Sequence, residues 1–161
     1  MQLPEGVEWS IHCLWLLALL PPDDALSSRR LAEFYGLPEA YLSKLLKMLV
    51  RAGLLAASSG PRGGFRLARD PAGITFLDVV DAVEGRAPVF RCMEIRQRGP
   101  VPLPEADCRR ECGIASVMHD AERAWRDHLA VATIAGSVRH AGSASLGRAR
   151  RWLASLPTAR R

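Results

Sequence analysis

Apolar residues near the start of the chain recur with a helical period. Trp9, Cys13, Leu16 and Leu20 fall at i, i+4, i+7 and i+11, one stripe of a helix. The stripe predicts a first helix over residues 5–20, stopped by Pro21-Pro22, which cannot continue it. A second helix is predicted over about 27–35, with Ser27 or Ser28 as its cap and Gly36 suited to end it. The connection Gly36-Leu37-Pro38 opens a third helix, with Pro38 in the favoured first turn. There Leu42, Leu45, Leu46 and Leu49 repeat at i, i+3, i+4 and i+7 and face inward. Tyr41, Ser43, Lys44 and Lys47 are left pointing outward, and Gly53 closes the helix. Two helices joined by a short, glycine-containing turn are the signature of a helix-turn-helix.

Beyond Gly53 the pattern changes. Residues 54–58 and 65–68 are short apolar stretches around Ser59-Gly60-Pro61-Arg62-Gly63-Gly64, a run of turn chemistry, and are expected to pair as a hairpin. A helix-turn-helix followed by an arginine-tipped hairpin is a winged helix, and Asp70-Pro71-Ala72-Gly73 ends the wing. Thr75 and Asp78 are expected to form a capping box, and Gly85 a C-terminal stop, around a helix with Phe76, Val79, Val80 and Val83 inside. Residues 86–111 carry Pro88, Pro100, Pro102 and Pro104, which forbid regular helix. An irregular loop of that length calls for a functional explanation.

Residues 113–138 then read as one long helix. Its stripe of Ile114, Val117, Met118, Ala121, Ala124, Trp125, Leu129 and Ala132 is more than a small domain buries alone, so a partner helix is implied. Residues 142–147 are read as a flexible break, 146–156 as a short basic helix and Arg160-Arg161 as a loose end. The predicted fold is mainly α with a small β wing. It comprises a winged helix-turn-helix domain over 1–85, a cysteine-containing loop over 86–112, a dimerisation helix over 113–138 and a flexible basic C-terminal segment over 139–161.

Of the 161 residues, 48% are hydrophobic and 24% charged, enough for a real core and against wholesale disorder. The longest apolar run, residues 14–20, is far shorter than the ~20 residues that span a bilayer. The residues before it carry Glu5 and Glu8 but no Lys or Arg, unlike a signal peptide. A soluble, cytoplasmic protein without a membrane partner is expected.

The formal net charge of +5 points to a polyanionic partner, and its distribution sharpens the point. Residues 29–69 hold eight Lys and Arg against Glu33 and Glu39 alone, while the rest of the chain is close to neutral. Positive charge concentrated on a helix-turn-helix and wing is the electrostatic footprint of nucleic-acid binding. In such proteins the N-terminal residues of the recognition helix reach base edges while basic side chains neutralise phosphates. The base-facing candidates are Glu39, Ala40, Tyr41, Ser43 and Lys44; Lys47 and Arg51 stand where phosphate contact is expected. Arg62 at the wing tip is placed to enter a minor groove, and Ser28, Arg29 and Gly63 complete the set. The competing reading is a winged helix used only for protein contacts. No Ser–His–Asp order, phosphate loop or pair of acids stands out, so an enzyme is not expected.

Cys92, Cys108 and Cys112 lie in or at the end of the proline-rich loop, with spacing Cys-x15-Cys-x3-Cys. Without an export signal, metal binding or redox chemistry is a better reading than disulfides, and thiolates are soft ligands suited to zinc or iron–sulfur clusters. The spacing alone names no metal. Cys13 belongs to the apolar stripe and reads as core. Glu8 and His12, four residues apart, project from one helix face about 6 Å apart along the axis. By themselves they read as a surface contact worth a few tenths of a kcal/mol; alternatively they supply ligands toward the four a [2Fe–2S] cluster needs. Cys112 immediately precedes the long helix, where free amide N–H groups and the helix dipole favour a thiolate, leaving Cys108 in reserve. His119 lies two turns on, ~10 Å away, too far to share one iron with Cys112.

The run Ser59-Gly60-Pro61-Arg62-Gly63-Gly64-Phe65-Arg66-Leu67, the helix from Ile74 through Glu84-Gly85 and the cysteine loop leading into a long helix together resemble the IscR/NsrR/RsrR-type family of winged-helix iron–sulfur transcriptional regulators. The resemblance covers roughly residues 1–138 and implies a homodimer that binds a palindromic operator in double-stranded DNA, with a [2Fe–2S] cluster near the dimer interface. In the family's commoner branch the cysteines are crowded within about a dozen residues, whereas here fifteen residues separate Cys92 from Cys108. The segments Gly6-Val7-Glu8-Trp9 with His12-Cys13, and Cys92 through Pro100, look closest to the RsrR-like redox-sensing subgroup. That likeness implies ligation by Cys92 and Cys112 of one subunit and Glu8 and His12 of the other, the first helix thus serving dimer and cluster. Two rivals stand beside it: a clusterless or zinc-bound thiol switch of the same fold, and an electron-transfer or cluster-carrier module.

Overall fold

The computed structural model describes residues 3–60 and 63–156. They divide into two compact units, one of residues 86–128 and one of residues 3–85 with 129–156. No helix among the described residues is long and apolar enough to cross a membrane.

The larger unit is built around α1 (Glu5–Leu17), which buries Gly6, Val7, Ser10, Cys13, Leu14, Leu16 and Leu17. The sequence stripe extends to Leu20, yet regular helix stops at Leu17. Leu19 and Leu20 donate instead to the carbonyls three residues back, at 3.1 Å each. Residues approaching a proline are disfavoured in the α region, so the helix tightens and ends ahead of Pro21.

Helices α2 (Ser28–Tyr35) and α3 (Glu39–Arg51) follow. Ser27 caps α2, its hydroxyl accepting from the Arg30 amide. Gly36 ends that helix in the left-handed region at φ 67° and ψ 37°, a conformation glycine adopts without steric cost. The core joins Leu42, Leu45, Leu46 and Leu49 of α3 to Leu14 and Leu16 of α1, with Leu31, Leu54, Ile74 and Val79.

Strands β1 (Leu55–Ser58) and β2 (Gly64–Leu67) pair antiparallel from Leu55 opposite Leu67 to Ser58 opposite Gly64. The sheet gains a third member that the pattern did not announce. Leu26 exchanges both backbone hydrogen bonds with Phe65, at 3.0 and 2.8 Å, which ties the wing to the residue just before the Ser27 cap. That approach requires Gly64, because a Cβ there would stand 2.6 Å from the carbonyl carbon and oxygen of Leu26. These elements form a winged helix-turn-helix within a mainly helical fold.

Next comes α4 (Phe76–Glu84), opened by the expected Thr75–Asp78 capping box and closed at Gly85. The single helix expected over 113–138 is two, α5 (Gly113–Val131) and α6 (Ile134–Arg139). Thr133 interrupts them in an extended conformation, its hydroxyl accepting from the Gly136 amide at 3.0 Å. Backbone bonds Phe76 N–H to Ala132 O (2.8 Å) and Ile134 N–H to Ile74 O (2.9 Å) hold the break against the entry to α4. A threonine cap with two backbone partners outweighs uninterrupted apolar periodicity.

The short basic helix expected over 146–156 is α7 (Ser143–Ser155), which starts inside the 142–147 stretch read as a flexible break, with Gly142 in the cap position. Ala149 is fully buried, and Trp152 packs on Phe34 with ring centroids 4.8 Å apart. Those contacts supply the stability that a glycine- and serine-rich start lacks. Arg160-Arg161 lies outside the described residues.

In the smaller unit, residues 86–112 are irregular apart from single 3-10 turns at Ile95–Gln97 and Glu105–Cys108. In α5 only Ala115 is buried, while Ile114 and Val117 are 70% and 66% exposed.

Replacing Gly64 by Ala drives a methyl group into the Leu26 backbone, which cannot yield without breaking the bridge. The Gly64→Ala variant is expected to lose about 1–3 kcal/mol of stability, read as a lower urea midpoint at fixed protein concentration. A Gly73→Ala control, where a Cβ meets nothing within 4 Å, is expected to unfold at the parental midpoint.

Candidate functional site

The α2–turn–α3 unit presents one face to solvent because its leucines claim the other. Glu39, Ala40, Tyr41, Lys44, Lys47 and Arg51 are exposed on α3, and Ser43 is half-buried. Lys44, Lys47, Arg51 and Arg29 have no carboxylate partner among the described residues, whereas Arg30 is paired with Glu33 at 2.8 Å. The Ser28 hydroxyl donates to Glu39 Oε1 at 2.9 Å. This bond joins the starts of the two helices and fixes a carboxylate at the N-terminus of α3. The result is a surface with unpaired positive charges and one oriented acceptor, suited to phosphates and a base edge.

In the wing, the Gly63 N–H donates to Gly60 O at 2.9 Å, setting the turn. Arg62 lies outside the described residues. Arg66 is exposed on β2, and Arg69 bonds Asp78 at 3.1 Å, pinning the end of the wing to the start of α4.

Helix α1 lies against this reading surface. The Trp9 ring meets Tyr41 edge-on, with centroids 5.4 Å apart and planes at 89°. A Cβ on Gly6 would sit 3.0 Å from Leu45 Cδ2 and 3.3 Å from the Tyr41 hydroxyl. Tyr41 therefore braces α3 on α1 as well as facing solvent. Glu8 and His12 are both exposed on α1 and form no ion pair with each other. The His12 ring packs on Tyr35 at 5.3 Å, and the Tyr35 hydroxyl donates to the His12 carbonyl at 2.7 Å. Burial pushes the Tyr35 phenol well above its ordinary value. Cys13, fully buried one residue on, has its thiol pushed up to about 12 by desolvation, which keeps it a protonated core side chain.

All four cysteines are free thiols. Cys92 is exposed; Cys108, in its 3-10 turn, and Cys112, just before α5, are half-buried. The organiser of this loop is Arg96, which spacing did not single out. Its guanidinium grips both Glu94 carboxylate oxygens, at 2.5 and 2.8 Å, and donates to Arg110 O at 3.1 Å. The Arg96 carbonyl accepts from the Leu103 amide at 2.8 Å. The Arg96 hydrogen bond holds the Glu94 carboxyl below its usual range, and Glu94 with the nearby Cys108 and Cys112 keeps Arg96 charged. Glu94 has φ 47°, a left-handed conformation costly for a non-glycine residue and sustained here by the bidentate grip. Arg96 is thus a fixed cation near Cys108 and Cys112, residues of the type that soft metals take as ligands.

His119 is engaged elsewhere. Its Nδ1 is 2.6 Å from Glu111 Oε1, and its ring packs on Phe90 at 5.7 Å. No three or more His, Cys, Asp or Glu side chains among the described residues converge as a set able to hold a metal ion. The thiol donors of the cysteine loop are of the type that fits an iron–sulfur group.

Comparison with known proteins accords with this geometry. A regulator of Lactococcus lactis, YffB, is 35% identical over 76% of this chain and 77% of its own length, and is named as a putative HTH-type transcriptional regulator. The HTH-type transcriptional regulator NsrR of Shouchella clausii is 29% identical over 83% of this chain and 86% of its own. Among solved structures, T. potens IscR superposes with a TM-score of 0.67 at 22% identity, over 89% of this chain and 90% of that one. Residues 3–140 match the family Rrf2, described as iron-dependent transcriptional regulators. With a paired recognition unit, a wing and a cysteine loop in that span, the chain belongs to the Rrf2 family of transcriptional regulators.

Proposed function

We propose that this transcriptional regulator is a cytoplasmic homodimer whose affinity for a palindromic operator is set by a [2Fe–2S] cluster shared between subunits. Cys92 and Cys112 of one copy and Glu8 and His12 of the other are the ligands, with Cys108 in reserve. In this reading residues 1–85 read DNA, 86–112 hold the cluster and α5 supplies the dimer contact. The observation that carries the reading is the position of α1: the helix bearing Glu8 and His12 packs directly on the recognition helix through Trp9 and Tyr41. A pull on those ligands is a pull on α3.

Other features support the same reading. The α5 face with Ile114 and Val117 exposed is the kind of apolar surface that a second copy covers. Family membership is described in terms of iron dependence. When bound, the cluster supplies one-electron redox chemistry. Histidine ligation raises its potential relative to all-thiolate ligation, as in Rieske centres, and adds a protonatable group. Arg96 orders the loop that carries the thiols, and Cys13 stays outside the chemistry. The exposure of Cys92 favours a second reading, the clusterless thiol switch, which lacks sulfur-to-iron absorbance. An electron-carrier role would show no sequence-specific operator binding.

Anaerobically purified protein is expected to show that visible absorbance and to contain inorganic sulfide. The Glu8→Ala/His12→Ala pair and Cys112→Ala are expected to lose most of the absorbance, and Cys108→Ala to keep it; retention by the first two would refute the ligand set. Operator affinity of the oxidised, dithionite-reduced and apo forms is expected to differ, and identical affinities would end the sensing claim.

For the reading surface, Lys47→Ala is expected to weaken binding similarly on all duplexes and to lower the salt slope by about 1. Glu39→Ala is expected to relax preference at one base position by about 1–3 kcal/mol. Binding titrations on an operator and on scrambled DNA at several salt concentrations check both.

A further inference from the structure

Within the larger unit, α1, α2, α4, α6 and α7 line a cavity of about 370 Å³ that is open to solvent on the side of Ser145 and Arg148 and that DNA reading does not require. Its walls are Ile11, Trp15, Tyr35 and Phe76, with Ser145 and Arg148 of α7 among the polar groups that line it. The volume lies in the range of small-molecule sites, and large apolar walls with a few polar groups are their usual make-up.

The polar groups specify a charge. Among the described residues no Asp or Glu lines the cavity. Arg148 lies with its guanidinium carbon 4.5 Å over the Phe34 ring, and among the described residues it has no carboxylate partner. The Tyr35 hydroxyl already donates its proton to the His12 carbonyl. Ser137, also in the lining, donates to Ile134 O at 2.7 Å. The donors left over belong chiefly to Arg148 and Ser145. A planar guanidinium with spare N–H groups at the edge of an aromatic chamber matches a carboxylate attached to an apolar body.

We propose that this cavity is an effector site for a small organic carboxylate with an aromatic or branched apolar body, its carboxylate held by Arg148 and its body held among Trp15, Tyr35 and Phe76. The site goes beyond the cluster reading and does not depend on it. A molecule seated there joins α7 to α1 and α2, the helices that brace and precede the recognition helix, so occupancy biases the reading head. His12 also lines the cavity, which gives the proposed cluster ligand and the effector one residue in common.

The test uses the full chain as purified and three probes, phenylacetate, indole-3-acetate and 4-methylpentanoate, in isothermal titration and ligand-observed NMR. At least one carboxylate is expected to bind with Kd below about 1 mM. The isosteric amide of that probe is expected to bind at least about tenfold more weakly, a comparison that needs no variant. Arg148→Gln is expected to erase the difference between acid and amide, and Ala141→Trp, which fills the chamber, to abolish binding of both. Both variants should keep the parental circular dichroism and probe-free operator affinity. Failure of all three carboxylates at about 10 mM, equal binding of acid and amide, or undiminished binding by Arg148→Gln would each overturn the proposal. None of these readouts involves iron, so their failure leaves the cluster reading standing, and loss of the cluster leaves this one standing.

Discussion

The larger unit depends on a single helix being buried on nearly every side. α1 has contact faces toward α3, α4 and α6, and its small and apolar residues are spent on those contacts, with Gly6 admitting Leu45 and the hydroxyl of Tyr41. A helix held that way has no independent freedom, since protein interiors are packed too densely for one element to shift without its neighbours. Its few exposed positions, Glu8 and His12 among them, are thereby attached to the whole domain. Whatever acts on them acts on the recognition helix, because both belong to one packed body. Burial fixes the rest of the chemistry on α1 as well: the same desolvation that keeps Cys13 protonated separates it from the three loop cysteines, which remain reachable by solvent.

The smaller unit is organised on the opposite principle. Its loop has almost no apolar core and is held by charge, with Arg96 bonding a carboxylate, a distant carbonyl and, through its own carbonyl, a third strand of chain. Such a loop keeps its cysteines near a cation without burying them. The helix that follows offers apolar side chains to solvent rather than to its own chain.

Much of this was legible in the amino-acid order where one local rule acted alone. The leucine period of α3, the Thr75–Asp78 box and Gly36 each involve residues within a turn or two of one another, and each appears in the structure where the pattern put it. The misreadings share a cause. Thr133 sits in an apolar period that runs on through it, and its cap on Gly136 is backed by a backbone bridge to Thr75, far away in sequence, that holds the helix broken there. The start of α7 looks loose by composition, but Ala149, Trp152 and Arg148 find partners on α2 and in the core. Arg96 and Glu94 are two residues apart, a spacing that is neutral in a helix and meaningful only because Glu94 turns left-handed. In the candidate site, residue types were readable from chemistry, while their grouping depends on tertiary packing that the order of residues does not display.

The exchange of backbone bonds between Leu26 and Phe65 has a thermodynamic corollary. It welds the hairpin to the threshold of α2, so the span from wing to recognition helix is set before DNA arrives and behaves as a caliper of fixed gauge. Little conformational entropy is then forfeited on docking, and beyond a base edge met by Glu39, duplexes whose groove width or ease of bending suits that gauge are favoured. The duplex, more than the paired strands, does the adjusting.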